Sequence, residues 1–121
     1  MVDPPILGSG LEWLVDAFDC DPERLRSTQV LDALFERLID ELGLHPLGPA
    51  QLHAFPEPGG VTGILMLSES HLCAHTFPER GYASLDLYCC RPRVEWSWAE
   101  GLRTAWGSER VAVRRMERPA P

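Results

Sequence analysis

Apolar and polar positions along the chain change period several times, and each change marks an element. Residues 11–18 (LEWLVDAF) are apolar with aromatic and branched content, which predicts a strand. Asp21-Pro22 follows as an N-cap with proline at the first helical position. From Thr28 the set Leu31, Leu34, Phe35, Leu38, Ile39 and Leu42 recurs at three-and-four spacing, and Gly43 stands where a helix stops. Leu31, Leu34, Phe35, Leu38 and Leu42 are expected to bury against a sheet. Residues 46–55 predict a weak edge strand, whose prolines withhold ladder donors, and Pro56-Glu57-Pro58-Gly59-Gly60 predicts a turn. Residues 61–68 predict a buried strand and 72–76 a short additional one. Residues 82–90 (YASLDLYCC) alternate, with Tyr82, Ser84, Asp86, Tyr88 and Cys90 on one face and Ala83, Leu85, Leu87 and Cys89 on the other. A helix over 95–106 closed by Gly107 and a strand over 110–116 complete the chain. The order β-α-β-β-β-α-β predicts an α+β two-layer sandwich, an antiparallel sheet with helices packed on one face.

Composition narrows the function. The chain has 121 residues, 45% hydrophobic and 24% charged, which fits one domain over 1–121. The net charge is -7, with 11 acids and 3 arginines before residue 61 and 7 acids and 8 arginines after it. A nucleic-acid partner is not expected, since that affinity needs a basic face. No apolar run is long enough for a membrane span, and the start MVDPPILGSG lacks a leader's basic and apolar regions, so a cytoplasmic location is expected. All 11 basic residues are Arg. Without lysine the chain cannot hold pyridoxal phosphate as a Schiff base, so amine chemistry would need another electron sink.

Cys20, Cys73, Cys89 and Cys90 show no C-x-x-C spacing and read as reduced thiols. His71 and His75 would share a face, but no thiol or carboxylate stands at a familiar ligand spacing from them, so no metal site is expected. Residues 69–90 (ESHLCAHTFPERGYASLDLYCC) gather hydroxyl, imidazole, carboxylate and thiol groups between apolar strands. Ser70, His75 and Asp86 are a nominal hydrolase triad, yet Ser70 lacks the glycine-flanked elbow that exposes such a serine. Taken singly, Phe55 and Phe77 read as core aromatics, Glu79 as a turn carboxylate and Cys90 as a small buried residue.

Taken in order, the core ESH-L-x-x-H-T-aromatic-P-E-x-G-Y-A resembles the small bacterial and archaeal S-adenosylmethionine decarboxylase proenzymes. The likeness runs outward through Phe18-Asp19-Cys20-Asp21, His53-Ala54-Phe55 and Gly60-Val61-Thr62-Gly63 to the Arg110-Val111 strand. The resemblance implies a self-made pyruvoyl cofactor. The Ser70 hydroxyl would attack the Glu69 carbonyl, and elimination would leave a β chain of residues 1–69 and a pyruvoyl-capped α chain of residues 70–121. By the same resemblance, His75 is the base for the Ser70 α-proton, Thr62 assists the acyl shift, and Cys90, last on its strand, is the catalytic acid. The substrate amine would form a Schiff base with the pyruvoyl carbonyl. Glu79 would take the ribose hydroxyls, and Phe55 and Phe77 would sandwich adenine.

The implied partners are S-adenosylmethionine and a second copy, giving a homodimer of processed αβ units whose product feeds spermidine synthesis. The chain departs from the family's commoner pattern at Phe77, where Trp is usual, in the turn over 56–60, longer by one residue, and at Gly10-Leu11-Glu12-Trp13. These departures keep open a pyruvoyl-dependent decarboxylase of arginine or ornithine. An unprocessed regulatory homologue is the reading from another class.

Overall fold

The structure, a computed structural model, describes residues 10–91 and 93–119. Of the start read above for a leader, only Gly10 falls within the described residues. The strands are β1 (Gly10–Phe18), β2 (Gln51–Ala54), β3 (Val61–Leu67), β4 (Ser70–Phe77), β5 (Tyr82–Cys89) and β6 (Arg110–Arg118). The helices are α1 (Pro22–Leu25), α2 (Thr28–Leu42) and α3 (Trp98–Trp106), with a 3-10 turn at Pro78–Arg80. All six strands join one antiparallel sheet in the order β2-β3-β4-β5-β1-β6. This is the α+β two-layer architecture expected from the pattern. The element order differs in one respect: residues 72–76, left out of that order, belong to the eight-residue β4, which supplies the strand between β3 and β5.

Alternation decides which face is covered. Trp13, Val15 and Ala17 of β1, Val61, Leu65 and Leu67 of β3, Leu72 and Ala74 of β4, and Ala83, Leu85, Leu87 and Cys89 of β5 are buried in one core. Helix α2 closes that core with Leu31, Leu34, Phe35 and Leu38, each removed from water and worth roughly 1.5–3 kcal/mol. Leu42 is only partly buried, because α2 ends beside it at Gly43, whose φ of 63° is the left-handed cap. Ser27 caps the other end, its Oγ accepting from Val30 N at 3.1 Å. Gly63 lets α2 approach: a Cβ there would stand 2.8 Å from Leu31 Cδ2.

The other element boundaries moved for local reasons. The edge strand is confined to Gln51–Ala54, after Pro46 and Pro49. The predicted helix over 95–106 begins at Trp98, and residues 95–97 run into it as an extended segment that buries Trp96. Among the described residues no helix covers the second sheet face, which presents Ile64, Met66 and His75 to solvent. No helix among the described residues is long and apolar enough to cross a membrane.

Candidate active site

Two groups of side chains stand apart on the sheet. The first surrounds the two-residue turn, Ser68-Glu69, that joins β3 to β4. The Glu69 side chain is only 2% exposed. Its carboxylate accepts hydrogen bonds from His45 N at 3.0 Å, Arg93 Nη2 at 3.1 Å and Ser68 Oγ at 2.5 Å. Burial alone would raise its pKa. The bonds from Ser68 and His45 and the Arg93 charge outweigh that cost and hold it below the ordinary value, so the group stays ionised. The backbone carbonyl of Glu69 accepts a bond from Cys90 N at 2.9 Å. Ser70 follows at the head of β4, half-buried, with Oγ 3.4 Å from His71 Nδ1.

The second group lies toward the other end of β3 and β4. Thr62 and His75 are paired across the strands, and Thr62 Oγ1 lies 3.0 Å from His75 Nδ1. Together with Phe55, Phe77 and Glu79 they line an open cavity of about 500 Å³ walled by Pro56 and Pro58. Phe55 is 50% exposed and Phe77 39%, so neither is the core aromatic that each suggests alone. Phe77 stacks on Tyr82 at 5.6 Å, and His53 meets Phe55 edge-on at 4.6 Å. Glu79 is exposed, on the 3-10 turn that follows β4. Five candidate residues from three separate stretches of sequence thus meet in one concavity.

The two groups do not meet within one chain. Ser70 and His75 are five residues apart on β4, roughly 16 Å along a strand, and alternation places them on opposite faces. The nominal Ser70, His75, Asp86 triad is therefore not assembled. An imidazole that reaches Ser70 in its own chain is that of His71, for which the sequence pattern offers no role at Ser70.

Cys90 also differs from expectation. Strand β5 ends at Cys89, so Cys90 is neither last on the strand nor a member of the Tyr82 face; it occupies the bend beyond, exposed. The strand residue opposite Ser70 is Cys89, fully buried, whose thiol burial pushes up against a lowering by Arg93. Arg93 was not foreseen. The only signal for it was a buried acid requiring a cation, and burial of Glu69 is invisible before folding.

On the open face, Glu12, His71 and Asp86 bring ligand-capable atoms within 4.8 Å of one another. The Asp86 carboxyl is pushed up to about 6, first by burial and then by sharing a hydrogen bond with Glu12 and feeling its charge, against the lowering effects of His71 and Arg118. Its Oδ1 is buried without a hydrogen-bond partner.

Comparison with known proteins gives one consistent picture. The family model described as S-adenosylmethionine decarboxylase matches residues 11–119. An S-adenosylmethionine decarboxylase proenzyme of Thermotoga petrophila is 36% identical over 110 residues, covering 90% of this chain and 83% of the relative. One of Bacillus cytotoxicus is 36% identical over 86 residues, 71% of this chain and 65% of its own. Among solved structures, the crystal structure of the adenosylmethionine decarboxylase from Aquifex aeolicus VF5 matches with a TM-score of 0.73 at 26% identity, covering 95% of this chain and 92% of that one.

Proposed function

The chain belongs to the S-adenosylmethionine decarboxylase family, and we propose that it is a proenzyme that cuts itself between Glu69 and Ser70 and then decarboxylates S-adenosylmethionine. The observation that carries this reading is the condition of the bond to be cut: the Glu69 carbonyl accepts a hydrogen bond from Cys90 N at 2.9 Å. A donor there withdraws electrons from the carbonyl carbon and steadies the negative charge that grows on its oxygen when a hydroxyl adds. Ser70 carries that hydroxyl on the next residue. Its attack replaces the peptide bond by an ester and frees the Ser70 amine. Loss of the Ser70 α-proton then expels the Glu69 carboxylate, and water converts the remaining dehydroalanine to a pyruvoyl end with release of ammonia. Residues 1–69 form the β chain and residues 70–121 the α chain.

The pyruvoyl group supplies the electron sink into which the bond to the leaving carboxylate discharges. Everything else falls to side chains. Phe55 and Phe77 offer two exposed aromatic faces to adenine, where stacking contributes roughly 1–3 kcal/mol per base. Glu79, at the mouth of the same cavity, accepts from the ribose hydroxyls. The Cys90 thiol, exposed in the bend whose N–H holds Glu69, returns the proton to the α-carbon. These features support a nucleoside-bearing substrate, whose base can fill the space between two aromatic faces, over ornithine, which has no planar group, and arginine, whose guanidinium is smaller than a purine.

The separation of Ser70 from Thr62 and His75 bears on assembly. If the Thr62-His75 pair moves the protons at Ser70, it must belong to a second copy, so the working unit is a homodimer of processed αβ units with each site shared. The uncovered sheet face supports this, since Ile64 and Met66 are 45% and 66% exposed on it beside His75. The test is intact mass and carbon dioxide release. Wild-type protein should resolve into fragments 1–69 and 70–121, the latter blocked to Edman chemistry, while Ser70→Ala stays whole. Labelled S-adenosylmethionine should release carbon dioxide where arginine and ornithine do not. A wild-type chain that remains whole after prolonged incubation sinks the reading and leaves an unprocessed homologue.

A further inference from the structure

Glu69 is an acid where an acid is expensive. Its side chain is 2% exposed at the tip of a turn, where an unpaired charge would be strongly disfavoured. The donors that keep it ionised divide by chain position. Ser68 and His45 precede the scissile bond, and Arg93 follows it. The Arg93 side chain is 14% exposed, and its guanidinium uses both arms: Nη2 donates to Glu69 Oε1 at 3.1 Å and Nη1 to Leu42 O at 2.6 Å. Leu42 ends α2, where unpaired carbonyls favour a cation. Arg93 therefore ties the residue before the scissile bond to a helix end that the core holds still.

We propose that Arg93 is a positioning residue for self-cleavage, gripping the Glu69 carboxylate so that the Glu69–Ser70 peptide is presented to the Ser70 hydroxyl in one orientation. This rests on the cleavage reading given above. The planar, two-armed guanidinium suits the task because it fixes direction as well as charge, which an ammonium does not. The same grip has a second consequence. Cleavage leaves Glu69 with two carboxylates, the new one where the carbonyl had faced Cys90 N, and the two repel. Arg93, now on the α chain, offsets that repulsion and ties the new end of the β chain to its partner fragment.

The test follows cleavage of full-length protein by intact mass, with thermal melting as the control for folding. Arg93→Gln should cleave at least about tenfold slower than wild type, since loss of orientation at a reacting bond costs on this scale. Its acid limb should move to higher pH, because Glu69, left with the Ser68 hydroxyl, the His45 N–H and the His45 imidazole at 3.4 Å, takes up its proton sooner without the arginine. Added guanidinium should restore part of the rate. The Glu69→Gln, Arg93→Gln double variant should be no slower than Glu69→Gln alone, as expected of two groups acting as a unit. A folded Arg93→Gln that cleaves within about twofold of wild type, with an unmoved acid limb, overturns the proposal. If Arg93→Gln does not fold, Arg93→Lys carries the test: slower cleavage at a near-native melting temperature supports the grip, and wild-type cleavage overturns it. Uncut wild-type protein instead overturns the cleavage reading itself, so the two failures are distinguishable.

Discussion

Thr62 Oγ1 lies 3.0 Å from His75 Nδ1 across two paired strands, on the sheet face opposite the one to which alternation assigns Ser70. A hydroxyl and an imidazole so placed can pass a proton between them and to a third group brought close to either. In a single chain that third group is not Ser70.

This separation yields a complementation experiment. His75→Ala and Ser70→Ala should each remain uncut when expressed alone. Co-expressed, they should give cleavage of the His75→Ala chain only, because its Ser70 meets the intact His75 of the Ser70→Ala copy. Mass spectrometry of the mixture identifies which chain is cut. Cleavage of the His75→Ala chain expressed alone, together with loss of cleavage in a His71→Ala chain, would transfer the base role to His71, 3.4 Å from Ser70 Oγ in the same chain.

Cys90→Ala should still cleave. What the uncut chain takes from this residue is its backbone N–H on the Glu69 carbonyl, which alanine keeps. Carbon dioxide release should fall about 100- to 10,000-fold, the usual loss on removing a general acid. Cleavage and decarboxylation both near wild type would make Cys90 a bystander. Attention would then turn to Cys89, the buried thiol directly opposite Ser70.

Asp86 makes stability pH-dependent in a known direction. Its folded pKa of about 6 exceeds the ordinary 3.8 of an aspartate, so the folded state binds more protons and loses this stabilisation as pH rises from 3.8 through about 6. The side chain is one-third exposed, and screening limits the effect to about 1 kcal/mol. Asp86→Asn removes the titration, so its melting temperature relative to wild type should climb between pH 4 and 6 and then level off. A difference that stays flat across that range would show that Asp86 does not carry the shift.

Gly101 is fixed by a neighbour. A Cβ on it would stand 1.9 Å from Cη2 of Trp96, a buried indole whose Nε1 donates to Glu41 at 3.0 Å. Gly101→Ala forces that ring out of its site and should cost about 1–3 kcal/mol, lowering the melting temperature by about 5–15 °C. A melting temperature within about 2 °C of wild type would mean that α3 shifts freely away from the ring.

Local signals sufficed wherever one stretch of chain sets its own conformation. Helix α2 has a three-and-four apolar stripe and a terminal glycine, and it runs from Thr28 to Leu42 as those signals dictate. The alternation in β5 likewise buried Ala83, Leu85, Leu87 and Cys89. The resemblance was carried by residue order, which survives without coordinates. Where elements end against neighbours, local signals failed. Cys90 falls beyond β5 because Glu69, the residue its N–H meets in register, already belongs to the turn before β4, and Leu42 stays half open because α2 stops there. Only the tertiary structure decided that Ser70 and His75, five residues apart on one strand, face opposite ways, and that Arg93 reaches back to a buried Glu69. Sequence distance records neither the pleat, which turns successive side chains to opposite faces, nor the low-dielectric turn in which a carboxylate must find a cation from elsewhere in the chain.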